Sequence, residues 1–376
     1  MPLKLIDARS KAERNRFVEF PYQLHAGSPY WVPPLRSEQR DWIVNENTPL
    51  FRGHPAKFFL VEEQGQVQGR VAMVRDEVIL AQKGLLNAYF TFLDFEDRED
   101  VFDLLLDAML TWTHTQSLAE MVGPVSPTKG DDYRGMLYWG GFNARPVLMN
   151  VYNPPYYVKH MERCGFEMHT DLVAYHYDLS QMDHSRQLRV LEYAKRRYGF
   201  TIDPFNLKDI EGEARDIQAV IEQSIPDWFE LIAPTAENIL EIAGRLKRFA
   251  DPGMVLIARD HERRPIGFNL ALPDYNEVFH HLNGNLGLLG MLKFLWYRRK
   301  IHGARSFVMF TVPEWRKKGV SHGLYLTAFQ RAQELGYTYG EGSTIGAHNT
   351  AMRRDAESVG GVHYRTYRIW KKRIAD

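Results

Sequence analysis

The residues whose types and spacing suit chemistry lie between Thr311 and Leu324. Thr311-Val312-Pro313-Glu314-Trp315 runs into Arg316-Lys317-Lys318-Gly319-Val320-Ser321-His322-Gly323-Leu324. The stretch before it, Ser306–Val312, is rich in β-branched and aromatic residues and reads as a strand. Beyond it, Leu324, Ala328, Arg331 and Leu335 recur every three or four residues, which reads as a helix over Gly323–Leu335. A basic, glycine-containing turn thus joins a strand end to a helix start. A helix start leaves backbone N–H groups unpaired and carries the positive end of the dipole. Glycine lets a phosphate approach the backbone, and Arg316, Lys317 and Lys318 add charge-assisted donors. This is pyrophosphate-binding chemistry.

The elements that must position this turn recur earlier in the chain. Ile6-Asp7 is matched by Ile202-Asp203, Pro29-x-Trp31 by Pro226-x-Trp228, Gly69 by Gly267, and Glu162-x-x-Gly165 by Glu357-x-x-Gly360. The offsets are nearly constant and imply a duplicated domain. Each half reads as a short strand, a helical stretch such as Ile210–Ile225, a hairpin, a strand leading into a helix, and a closing helix and strands. The expected division is 1–178, a linker helix at 179–199, and 200–376. The fold class expected is α/β with a mixed sheet, in two copies. The first half's equivalent turn, Asp94–Asp100, has five acids and one base, a formal charge of −4; Glu314–Lys318 has one acid and three bases, +2. Repulsion excludes a pyrophosphate from the first turn, so the first half is expected to be a degenerate copy serving as support and pocket wall. Asp97 or Glu99 is expected to cap its helix.

Arg316-x-x-Gly319-x-Ser321-x-x-Leu324 resembles the Arg/Gln-x-x-Gly-x-Gly/Ala signature of the GNAT superfamily of acyl-CoA-dependent N-acyltransferases, with Ser321 in place of the last small residue. Asn349, ahead of the helical stretch Ala351–Val359, resembles the family's second motif. The motifs cover about 200–376, and the whole chain is similar to tandem bacterial members. The resemblance implies a tandem GNAT-like fold, with acetyl-CoA or another acyl-CoA as co-substrate and no metal. It implies cofactor contacts from Thr311, Val312, Arg316, Lys317, Lys318, Gly319, Val320, Ser321, His322, Gly323 and Asn349.

Amine acylation needs a base for the amine proton and an acid for the departing thiolate. The candidates are Glu341, on an expected strand Thr338–Ile345, His348 beside Asn349, and Tyr364. The helix after Asn349 lacks the tyrosine that many superfamily members carry there, so Tyr364 and Tyr325 stand as substitutes. The expected activity is direct acyl transfer from CoA to a small-molecule or peptidyl amine. A non-catalytic acyl-CoA sensor or scaffold and an aminoacyl-tRNA-dependent transferase are the alternatives.

Composition sets the remaining bounds. Lys plus Arg equals Asp plus Glu at 47 each, so no global charge favours nucleic acid, and neither nucleic acid nor membrane is expected as a partner. The one cysteine, Cys164, reads as a packing residue and fits a cytoplasmic setting. His280-His281 has the wrong spacing for two metal ligands on one helix face. The loop Gly123–Pro127 with Asp131–Arg134 could line a site. The apolar stripe Leu288, Leu289, Leu292, Leu295 and Trp296 is expected either to cover the sheet or the domain interface, or to roof an apolar acceptor pocket.

Overall fold

The structure is a computed structural model that describes residues 2–46, 51–126, 134–225, 234–235, 237–240, 244 and 250–374. Pro226-x-Trp228, Pro127 and Asp131–Tyr133 lie outside the described residues. The chain divides into two compact units. Unit 1 comprises 1–172, 275–299 and 365–376; unit 2 comprises 173–274 and 300–364. The division is therefore not a single cut in the sequence: the segment 275–299 and the last strand both return to the N-terminal unit.

Unit 1 begins with β1 (Lys4–Asp7), α1 (Lys11–Leu24) and α2 (Arg36–Ile43), followed by the hairpin β2 (Ala56–Glu63) and β3 (Gln66–Val74). Next come α3 (Glu77–Lys83), β4 (Asn87–Phe95), α4 (Glu99–Thr115), β5 (Glu120–Gly123), β6 (Met136–Trp139) and α5 (Tyr156–Arg163). The strand order is β1-β2-β3-β4-β5, antiparallel until the last pair, which is parallel. The closing strand β13 (Val362–Arg373) pairs with β5 through Trp370–Arg373 and with β6 through Thr366–Arg368.

Unit 2 repeats the pattern. After β7 (Glu167–Asp178) come α6 (Ser185–Tyr198), β8 (Phe200–Pro204), α7 (Ile210–Ser224), β9 (Val255–Asp260) and β10 (Pro265–Pro273). Two helices, α8 (Asn276–Leu282) and α9 (Leu288–Tyr297), belong to unit 1. The chain then resumes unit 2 with β11 (Gly303–Thr311), α10 (Val320–Glu334), β12 (Tyr339–Gly346) and α11 (Thr350–Ser358). The order β8-β9-β10-β11-β12 has the same directions, three antiparallel pairs and then a parallel one.

The matched residues occupy matched places. Ile6 pairs with Leu60 on the second strand of unit 1, and Ile202 pairs with Ala258 on the second strand of unit 2. A side chain on Gly69 would meet Val101 and Leu105 of α4 at 2.9 Å, and one on Gly267 would meet Val320 of α10 at 3.2 Å. Both glycines let the third strand pass under the start of the helix that follows the fourth strand. Gly165 and Gly360 both have positive φ, 69° and 92°, just past the end of the closing helix, where glycine costs least.

Candidate functional site

Strands β11 and β12 run parallel and pair for only four rungs, Gly303–Ser306 against Tyr339–Gly342. Both strands continue beyond, β11 to Thr311 and β12 to Gly346, without further rungs between them among the described residues. The sheet is open there, next to the turn that leads into α10. A register shift between Leu270 and Ala271 bulges β11 at Phe307, where the opening starts.

Helix α10 starts at Val320, three residues earlier than its hydrophobic spacing predicts, so the turn proper is Arg316–Gly319. Gly319 is the N-cap at φ 85°, a left-handed conformation that glycine adopts without strain. No side chain caps the helix, so the first-turn amides of Val320, Ser321 and His322 are the ones a helix start leaves for an anion. Val320 is buried beneath them. Thr311 Oγ1 and Ser321 Oγ lie 3.1 Å apart and tie the strand end to the first turn, and Val312 is buried at the corner.

The cations are not equivalent. Arg316 donates to Thr311 O and Ser224 O, each at 3.4 Å, and so braces the loop. The Lys318 ammonium lies 4.5 Å from the Trp315 ring centroid. Lys317 holds φ 63°, which turns the backbone into Gly319. Gly323 departs from its expected contact with a phosphate. Its N–H donates to Gly319 O, and a side chain there would meet Leu191 and Ile202 at 2.6 and 2.7 Å. Its small size serves the packing of α6 and β8 on α10.

At the paired end of the opening lies a buried polar group. Glu341 is fully buried beside Arg305, with Arg305 Nε 3.6 Å from Glu341 Oε1. The half-buried Tyr364 donates its hydroxyl hydrogen bond to Glu341 Oε2. Two strands bring this pair together across a separation of 23 positions, because β13 starts within unit 2. Ser306, on the last rung, donates to Asn269 Oδ1, while the buried Asn269 Nδ2 has no hydrogen-bond partner among the described residues. Tyr339 donates to Asp274 Oδ2 at 2.7 Å. Sequence reasoning missed Arg305 and Asn269. Their only signal was a polar residue on a strand otherwise apolar.

The remaining candidates fall elsewhere. His348 is exposed at the head of α11. Asn349 caps α11 by accepting from Met352 N at 3.2 Å, which opens that helix as expected. Tyr325 is buried in the core, and burial holds its hydroxyl above the ordinary range, which suits packing rather than proton transfer. His322, in the first turn of α10, is lowered by burial, with Asp355 of α11 acting the other way; burial raises Asp355 in turn. Ser358 Oγ is 3.4 Å from His322 Nδ1. This polar contact links the start of α10 to α11.

In unit 1 the expected caps are corrected. Arg98 is the N-cap of α4, and its guanidinium is held by Asp100 and Glu63. Asp97 instead lies 3.0 Å from His160 Nε2. Cys164 is half-buried, its thiol raised by burial, with Sγ 3.6 Å from Asp103. His281 stacks on Tyr297 at 3.7 Å and so joins α8 to α9.

No family model matches the sequence. The architecture is the GNAT fold in tandem, and solved structures of that fold align with the whole chain. A tandem GNAT protein from the clavulanic acid biosynthesis pathway superposes with a TM-score of 0.58 at 11% identity, over 100% of this chain and 99% of that one. A GCN5-related N-acetyltransferase from Sphaerobacter thermophilus superposes with a TM-score of 0.53 at 11% identity, over 100% and 96%. By sequence, the chain is 27% identical to the bacterial ceramide synthase of Caulobacter vibrioides over 99% of this chain and 98% of that protein. It is 25% identical to Protein YghO of Escherichia coli over 97% and 94%.

Proposed function

We propose that the chain is an acyl-CoA-dependent N-acyltransferase whose site lies in unit 2. The observation that carries this reading is the opening between β11 and β12, with an uncapped basic helix start at its mouth and Glu341–Tyr364 at its paired end. The residues present fit CoA as a substrate. The amides of Val320, Ser321 and His322 and the Lys317 ammonium suit the pyrophosphate.

The reaction forms a C–N bond and breaks the thioester C–S bond, with one net proton passing from nitrogen to sulfur. Glu341 is too buried to touch an amine, so Tyr364 is the group that meets the reactants. As nitrogen attacks, the Tyr364 oxygen takes the ammonium proton while its own proton moves to Glu341. Reversal of that movement delivers a proton to the departing thiolate. The pair ends unchanged, and atoms and charge balance. Arg305 positions Glu341.

The acceptor is a long-chain amine or amino alcohol. Support comes from the name of the Caulobacter relative, since a ceramide is an N-acylated long-chain amino alcohol. The test is thiol release from acyl-CoAs with an amine panel, beside CoA calorimetry. Amine-dependent thiol release supports the reading. CoA binding without turnover on any amine turns it into an acyl-CoA sensor.

A further inference from the structure

The apolar stripe on α9 is largely exposed instead of packed over a sheet. Leu288, Leu289, Leu292 and Trp296 are 90%, 77%, 65% and 62% exposed, and Leu286, Met291 and Leu295 are exposed beside them. Only Gly290 and Phe294 of this helix are buried. Phe294 stacks on Tyr275 with rings 5° from parallel, and His281 stacks on Tyr297. The turn before α9 is fixed within unit 1 by Arg36, whose N–H donates to Gly284 O and whose guanidinium donates to Asn283 O. The helix is therefore held by its narrow face, and its broad apolar face is turned outward. Soluble proteins seldom expose so continuous a patch unless something docks there.

We propose that this face docks on the surface of a lipid bilayer that carries anionic headgroups. Lys293, Arg298, Arg299 and Lys300 are all exposed on or directly after the helix, and no acid occurs from Asn283 to Lys300. Apolar side chains ending in a tryptophan and a cationic cluster are what the membrane boundary selects: acyl-chain contact for the leucines, the interface for the ring, phosphate for the cations. At ten residues α9 is about 15 Å long, too short to cross a bilayer core of about 30 Å. No described helix is long and apolar enough to cross a membrane. The helix therefore lies in the surface. A second copy of the chain fits less well. One face of so short a helix is small beside the roughly 800 Å² per partner of a standard interface, and the patch has no carboxylate to meet the cations of another copy. This proposal runs against the expectation of no membrane partner. It does not depend on the acyl-transfer reading.

The test is flotation of the full chain with vesicles of phosphatidylcholine alone and of phosphatidylcholine with phosphatidylglycerol. The variants are Leu289→Ser/Leu292→Ser and Arg298→Gln/Arg299→Gln, with Trp296 fluorescence as a second readout. All four positions are exposed, and unchanged circular dichroism and melting confirm the fold. Wild type is expected to float with the anionic vesicles and its emission to shift to the blue. The leucine variant should lose binding about tenfold or more, and the arginine variant should lose the preference for anionic vesicles and the salt sensitivity. Failure of wild type to float, or equal flotation of the leucine variant, overturns the proposal. A concentration-dependent dimer that the leucine variant abolishes, without vesicle binding, overturns it in favour of a second copy.

Discussion

The fourth-strand turn of unit 1 and that of unit 2 occupy the same place in the same topology, yet they are finished differently. In unit 1, Arg70 of β3 pairs with Asp94 of β4, one rung from Gly69; in unit 2 the same rung holds Phe268 and Phe310, whose rings lie 5.9 Å apart. The Asp94 carboxylate also faces His25 and Tyr157, so the unit 1 turn leads from a buried charge network. Beyond it, the cationic Arg98 is used up by Asp100 and Glu63, and acids Glu99 and Asp100 fill the first turn of α4. In unit 2 the first turn has no acid and no side-chain cap. One copy has satisfied its helix dipole internally, and the other has left its first turn without an acid or a side-chain cap. On the proposed reading, the fold alone does not make an anion site; what the first turn does with its own amides decides it.

The largest effect should come from the turn left open. Gly319→Asp places a side chain at φ 85°, against Ala194, and an anion at the helix start. It is expected to abolish CoA binding in calorimetry, and wild type should bind one CoA per chain. Two sites per chain would show that the acidic first turn of unit 1 is no barrier. Lys317→Ala is the milder companion, expected to weaken binding by about 1–3 kcal/mol.

Next in size is the Glu341–Tyr364 pair, for which unit 1 supplies no counterpart in the proposed chemistry. Tyr364→Phe and Glu341→Gln should each lower kcat by about 10²-fold or more while leaving CoA affinity near wild type. Because the two act as one relay, the double variant should be little worse than either single one. Additive losses would separate their roles and undo the relay.

Much of this was legible in the sequence, and the part that was not has physical causes. The glycines at 69, 267, 165 and 360 announced the duplication because each sits at a close approach or a positive φ that favours glycine. The turn at Arg316–Gly319 was legible because strand, cations and helix are contiguous. The meeting of Tyr364 with Glu341 was not, because it depends on where β13 enters the sheet. The exposure of α9 was also hidden, since a stripe at helical spacing looks the same whether it faces a core or an outer surface. Gly323 misled because a glycine near a phosphate loop and a glycine under a helix contact share one letter.

A smaller effect tests whether the two copies share a steric design. Gly69→Ala would press on Val101 and Leu105 at 2.9 Å, and Gly267→Ala on the Phe310 carbonyl at 3.0 Å and Val320 at 3.2 Å. Each should destabilise its unit by about 1–3 kcal/mol, read as a lowered Tm. A raised Tm in either would mean that the strand tolerates a methyl there and that the matched glycines do not share a cause.

The smallest effect concerns the Arg70–Asp94 charge network, whose place in unit 2 is taken by Phe268 and Phe310. Burial by itself would raise Asp94, but Arg70 and His25 outweigh it and hold the carboxyl below the ordinary range. A depressed carboxyl contributes stability that is present above its unfolded value of about 3.9 and is lost as pH falls towards the folded value. Asp94→Asn keeps an acceptor for Tyr157 yet leaves Arg70, itself buried, without its counter-charge. The variant should therefore melt below wild type above about pH 5. The gap should narrow on acidification, because wild type loses the same charge by protonation. Melting curves of the two proteins between neutral and acid pH check this directly. A gap that stays constant with pH would show that Asp94 acts in unit 1 through its hydrogen bonds alone. The contrast with Phe268 and Phe310 would then be one of shape, not of charge.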